Sequence, residues 1–250
     1  MEEAATDRAP RGLPTVAQRG PVRRRGAHSA PPSDPYRIRP FAEWRDQSLT
    51  HPGPPATPTE LTHAPVTPSA SQATSLTPGQ NLVLPEEAWQ QLLIDFSFAG
   101  ADADLTLFLT DTDGQVTCDE DFVFYNQPST AHGAALLGKQ TEGPHTVERA
   151  ALHAVALPPH IQRVTLAINV DVDTGLTCGA LTHAALHITC ATGVAWTFQP
   201  PADPHIRAMA IAEIYRHTAG GRPVWKLRAI GQGWADGLDA LARAHGVTIE

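Results

Sequence analysis

Two runs of carboxylates are the residues in this chain best suited to chemistry. The first is Asp102-Ala103-Asp104; the second runs from Asp111-Thr112-Asp113-Gly114 to Asp119-Glu120-Asp121. On an extended strand Asp102 and Asp104 point to the same face about 7 Å apart, so a neighbouring loop can complete an oxygen cage between them. Hard oxygen donors without a nearby His or Cys favour calcium over zinc or copper. The same residues also describe the solvated acidic edge of a surface strand, and the spacing alone leaves both readings open.

Sharper-looking patterns are weaker on inspection. Asp111-x-Asp113-Gly114-x-Val116-x-x-x-Glu120 fits positions 3, 5, 6, 8 and 12 of an EF-hand loop, but position 1 falls on Leu109, which cannot ligate. An Asp-Gly turn explains the same residues. His183 and His187 would pair on a helix, but the surrounding pattern is that of a strand, where four residues span roughly 13 Å and cannot share one ion. No G-x-S-x-G, phosphate-binding loop or dinucleotide fingerprint is present, and Ser97 and Ser129 have no base placed beside them. The expectation is that the chain is not an enzyme.

The elements that must position these acids are strands. Leu105, Leu107 and Leu109 alternate with Asp104, Thr106 and Thr110, with Phe108 breaking the rule. Val164, Leu166, Ile168 and Val170 alternate with Arg163, Thr165, Ala167 and Asn169. Thr182, Ala184, Leu186, Ile188 and Cys190 form a third such set, and Trp225, Leu227 and Ala229 a fourth. A period of two puts every second side chain on one buried face. Turn residues separate the runs, at Asp113-Gly114, Pro158-Pro159, Thr192-Gly193 and Gly220-Gly221. This predicts an all-β, two-layer sandwich of about eight to ten strands. Whether Phe122 and Phe124 or Val123 and Tyr125 face the core is open. A short helix is expected over Ala235–His245, with Asp236 or Asp239 near its start and Gly246 as its C-terminal cap.

Composition divides the chain. Fourteen of the 23 prolines lie before Asn81, and residues 1–80 carry nine arginines against seven acids. The remaining residues hold nine Lys and Arg against nineteen Asp and Glu, within a total of −8. Residues 1–80 therefore read as a disordered Pro-rich arm and linker, with residues 81–250 as the folded domain. Inside the arm, Tyr36-Arg37-Ile38-Arg39-Pro40-Phe41-Ala42-Glu43-Trp44 is either a docking motif or a chance cluster. The acidic folded part repels nucleic acid and anionic membranes. Three cysteines, Cys118, Cys178 and Cys190, with no C-x-x-C spacing, argue against a disulfide framework or a zinc knuckle and fit a reducing cytoplasm. No apolar run is long enough to span a membrane.

Three separated motifs carry a resemblance. Asp119-Glu120-Asp121-Phe122-Val123-Phe124-Tyr125-Asn126-Gln127 resembles the D-F-V-F-Y-N-Q signature of the TerD family. Gly100-Ala101-Asp102-Ala103-Asp104-Leu105 is similar to its G-x-D-x-D-L-D. The closing hairpin from Ala208-Met209 to Tyr215-Arg216, then Trp225 through Trp234 and Gly237-Leu238, also resembles the family, so that the likeness covers about 93–250. The resemblance implies a β-sandwich that binds Ca2+ in acidic loops at one edge, a tie to tellurium resistance and stress response, and other stress-response proteins as partners. It implies Asp102, Asp104, Asp121, Asn126 and Glu148 as metal residues, with Asp171 or Asp173 contributing. The chain departs from the family pattern at Thr106, at Gly138-Lys139-Gln140, and at Gly143-Pro144-His145-Thr146-Val147-Glu148, where only Glu148 remains of the acidic loop. Calcium is then expected at Asp102, Asp104 and the Asp121–Asn126 segment, bound weakly, and not at the 143–148 loop. The alternative is a metal-independent interaction scaffold that uses the sandwich and the Pro-rich arm to bind partner proteins.

Overall fold

Strands alternate in burial because two sheets close on each other, and the computed structural model, which describes residues 73–249, shows this pairing. One sheet is ordered β1 (Thr74–Leu76), β10 (Ala195–Phe198), β9 (Thr182–Cys190), β3 (Leu92–Ala99), β7 (His145–Leu152), β6 (Ala135–Glu142). The other is ordered β2 (Asn81–Val83), β12 (Arg222–Trp234), β11 (Ala208–Ala219), β8 (Arg163–Val170), β4 (Ala103–Thr110), β5 (Phe122–Val123). Every pairing is antiparallel except β1 with β10. The β-sandwich expected from the sequence is therefore what the chain forms.

Between the sheets lies one apolar core. Leu105, Leu107, Val164, Leu166, Ile168, Leu186 and Trp225 all belong to it, as their alternation predicts. β11 needs a correction of phase to contribute. Its register shifts between Ala210 and Ala212 against both neighbours, and this bulge lets Met209 and Ile211 face inward on one side of it and Ala212 and Ile214 on the other.

A second, smaller cluster explains the residue that broke alternation. Phe108 and Phe122 are buried on the outer face of the second sheet, with Ala167 and Ala208, beneath Leu241 and Ala242 of α2 (Leu238–Ala244). Both faces of β4 are thus covered, so its sequence cannot alternate cleanly. Val123 faces the main core, Phe122 and partly buried Phe124 face the helix side, and Tyr125 is exposed. The helix starts three residues later than expected because Gly237 sits at φ +72°, outside the helical region. It ends as expected: Gly246, at φ +78°, donates to the Arg243 carbonyl, and Val247 N–H to that of Ala242.

Two differences lie at the N-terminal side of the domain. Thr74–Leu76 forms β1, inside the stretch assigned to the linker, and buries Leu76. A one-turn helix, α1 (Glu86–Gln90), was not expected. The arm before residue 73, including the 36–44 cluster, lies outside the described residues. No helix among the described residues is long and apolar enough to cross a membrane.

Candidate functional site

β6 and β7 form the hairpin at one end of the first sheet, in a register that puts Lys139 directly opposite Glu148. On the facing sheet, β5 covers only Leu107 and Phe108 of β4, which leaves the start of β4 as a free edge. The acids at that free edge meet the hairpin. Lys139 Nζ donates to Asp102 Oδ1 and Asp104 Oδ1, both at 3.2 Å, and to the Ala103 carbonyl at 3.3 Å. Glu148 Oε1 forms an ion pair with the same nitrogen at 3.1 Å. One ammonium therefore sits among three carboxylates and ties the two sheets together.

The electrostatics follow from burial and from this grouping. Burial favours the neutral form of Lys139, but Glu148 and then Asp104 outweigh it and hold its pKa above the ordinary lysine value. Burial pushes Glu148 up; Lys139 opposes that shift, and the Asp104 charge adds to it.

These donors do not fit calcium while Lys139 is among them. Calcium requires six to eight oxygens at about 2.3–2.6 Å, and here a donor-only nitrogen takes the central position with contacts of hydrogen-bond length. Among the described residues, no group of three or more His, Cys, Asp or Glu side chains is placed so that it could hold a metal ion.

The remaining candidates are placed elsewhere, and the grouping expected from the sequence changes accordingly. Glu148, set aside there, joins Asp102 and Asp104. Asp121, joined to them there, lies about five rungs along β4, roughly 17 Å away. Asn126 is exposed at the tip of a tight turn closed by Phe124 and Gln127, whose backbones exchange hydrogen bonds at 3.1 and 2.9 Å. Gln127 Nε2 anchors that turn by donating to the Asp119 and Phe122 carbonyls. Asp171 approaches through its backbone N–H, which donates to the Asp102 carbonyl, but its own carboxylate accepts from Asp173 N–H. Asp111 likewise accepts from the N–H groups of Asp113 and Gln115, as the turn reading of that segment requires. His183 and His187 lie on β9 and are exposed.

Asp121 has its own surroundings, which no spacing in the sequence announced. Its side chain is 1% exposed. Oδ2 accepts from Cys118 Sγ at 3.1 Å and contacts His160 Nε2 at 3.2 Å, while Oδ1 contacts His132 Nε2 at 3.3 Å. His132 Nδ1 accepts from Ala134 N–H, which places the proton of the neutral ring on Nε2, facing Asp121. Desolvation at the sulfur, then the hydrogen bond to Asp121 and its charge, push the Cys118 thiol up to about 11. Because Cys118 as a residue is exposed, the carboxylate is the more telling cause.

Comparison with known proteins agrees with the fold. Residues 73–245 match the TerD domain. The chain is similar to the tellurium resistance protein TerD of Serratia marcescens, 26% identical over 155 residues, which are 58% of this chain and 78% of that protein. It is also similar to general stress protein 16U of Bacillus subtilis (strain 168), 26% identical over 186 residues, 70% of this chain and 93% of that one. A solved structure of a protein of unknown function, SAV2460, aligns at a TM-score of 0.51 and 14% identity, covering 64% of this chain and 98% of its own, a likeness of fold.

Proposed function

This chain belongs to the TerD family, and from that premise we propose that it is a non-enzymatic stress-response domain that works without resident calcium, binding protein partners through the sandwich and the Pro-rich arm. The observation that carries this reading is Lys139 Nζ standing 3.1–3.2 Å from Asp102, Asp104 and Glu148. A side chain tethered to β6 supplies the positive charge that these acids need, and a divalent ion would have to displace it. The names of the relatives, a tellurium resistance protein and a general stress protein, support the setting. Three free cysteines support the cytoplasm as its place.

Calcium titration by calorimetry tests the proposal. Wild type should give no saturable heat up to millimolar calcium. Lys139→Gln, which keeps the three carboxylates and removes the ammonium, should gain binding. Saturable sub-millimolar binding by wild type would overturn the proposal in favour of a calcium-responsive protein.

A further inference from the structure

On the outer face of the second sheet, α2 packs over Phe108, Phe122, Ala167 and Ala208. Beyond these residues, the register of β8, β11 and β12 sets two rungs side by side, Arg163–Tyr215–Lys226 and Thr165–Glu213–Arg228. Their strand neighbours Val164, Ile214, Trp225 and Leu227 belong to the core, so these six side chains take the outward face. Three cations stand there against one acid, in a folded part that holds nine Lys and Arg against nineteen Asp and Glu. Buried Glu213 organises two of them: Arg228 Nη2 lies 2.6 Å from its Oε2, and Arg163 Nη1 3.4 Å from its Oε1. Each guanidinium thus gives a terminal nitrogen to Glu213 and keeps its Nε without a hydrogen-bond partner among the described residues. The guanidinium fork grips a carboxylate through two parallel N–H bonds, and an unused Nε leaves one such edge available. The two side chains are 37% and 43% exposed, so the forks can turn to meet an incoming oxygen. Lys226 makes no ion pair among the described residues, and its Nζ stands 5.9 Å from the centre of the Tyr215 ring. The acids that follow β4, Asp111 and Asp113, belong to a turn in which the Asp111 carboxylate accepts from backbone N–H groups.

We propose that this part of the sheet docks a short acidic segment of a partner protein, with carboxylates on Arg163, Arg228 and Lys226 and an apolar side chain over Tyr215. The proposal rests on the partner-binding reading above and names a surface and a partner chemistry for it. Arg163 and Lys226 stand two strands apart, about 10 Å, with Tyr215 between them. An extended segment presents alternate side chains on one side, about 7 Å apart. Acid, apolar residue and acid at every second position therefore meet Arg163, Tyr215 and Lys226 in turn, and the long charged side chains take up the difference in spacing. Charge complementarity also limits the partner's length. Screening at physiological ionic strength confines the attraction to about 8 Å, so a short segment feels the patch alone. A long polyanion such as nucleic acid would run onto the acids that outnumber the cations over the rest of the domain.

The test uses the full chain and a fluorescein-labelled peptide of alternating glutamate and serine, nine residues long, with phenylalanine in place of the central glutamate. Fluorescence anisotropy should show saturable binding that weakens about fivefold or more between about 50 and 300 mM salt. Lys226→Glu should weaken binding about tenfold or more, because it sets like charges against each other. Glu213→Gln, close in shape and free of the competing charge, should tighten it about threefold. Arg207→Glu makes the same change of charge near the opposite end of β11 and should leave the Kd within about twofold. Circular dichroism checks each variant, and Lys226→Gln decides if Lys226→Glu does not fold. Absence of saturable binding by wild type would overturn the proposal, as would a single-stranded oligonucleotide that binds where the peptide does not. Binding unchanged in Lys226→Glu would also overturn it, by moving the peptide to the arginines of the arm. A salt-sensitive dimer in sedimentation that Lys226→Glu abolishes would give the patch to a second copy of the chain instead. Calcium binding by wild type would remove the calcium-free reading and leave the peptide results standing, so the two failures are told apart.

Discussion

At Lys139, burial and charge pull in opposite directions, and the outcome gives a dependence on pH that can be measured. Its pKa is raised in the folded state, so its contribution to stability is complete below the ordinary lysine value and is lost only as pH rises through the folded one. Glu148 is also raised, which for an acid means that the fold favours its protonated form and loses stability as pH rises through its folded value. Removing the ammonium in Lys139→Gln takes away the largest influence that restrained Glu148 and leaves only the smaller one of the Leu105 backbone. Denaturation at pH 8 should show a loss of about 1–2 kcal/mol, between the values for exposed and buried pairs because Lys139 is 38% exposed. The loss should be smaller at pH 5, where Glu148 can take up a proton. A loss equal at the two pH values would show that the two groups are not coupled. Asp102 and Asp104 were legible in the sequence as a cation site because their spacing is local. The cation itself was not, since Lys139 reaches them only through the β6–β7 register. Asp121 was grouped from the sequence with Asp102 and Asp104, whereas its neighbours are Cys118, His132 and His160, brought together by three turns with no shared motif.

Strands were readable wherever one face meets the core and the other meets water. β9 shows the rule in its inward residues, and β4 and β8 show its limit, since their second face is covered as well, at Phe108 and Ala167 beneath α2. Phe108 is the decisive position. It lies 5.0 Å from Phe122 and 4.6 Å from His245, ring centre to ring centre. Phe108→Ala should cost about 3–5 kcal/mol by thermal or chemical denaturation, as for a core aromatic. Tyr125→Ala, two residues from the end of β5, should stay within about 0.5 kcal/mol. Equal effects at the two sites would place Phe108 outside any core. The β11 bulge was beyond the reach of periodicity, because one extra residue changes parity in the part of the strand, Ala208–Ala212, whose residues are all apolar.

For the molecule as a whole, the first strand of the sandwich, β1 at Thr74–Leu76, lies before the composition change near Asn81. β1 is too short to show alternation, and it is recognisable only through its parallel pairing with β10. Limited proteolysis followed by mass measurement should therefore leave a product beginning close to residue 73, with β1 retained. A stable product beginning after Leu76 would return β1 to the arm. The two layers and the strands β4, β8, β9 and β12 were legible, because they depend on alternation repeated along each strand. The meeting of the free edge of β4 with the β6–β7 hairpin occurs once, and no pattern within either segment encodes it.

The tether on Lys139 also determines what this domain can report. A site that holds an exchangeable ion carries information: its occupancy follows the concentration outside, and a partner can read that occupancy. Here the ligand is part of the chain, at an effective concentration fixed by a short connection, of millimolar order or above for short tethers, and no change in the cell can dilute it. If the site works without calcium, as proposed, the charge is constant and this position transmits no signal. A response to stress through this domain would then have to be written in how much of the protein is made and in what its arm engages.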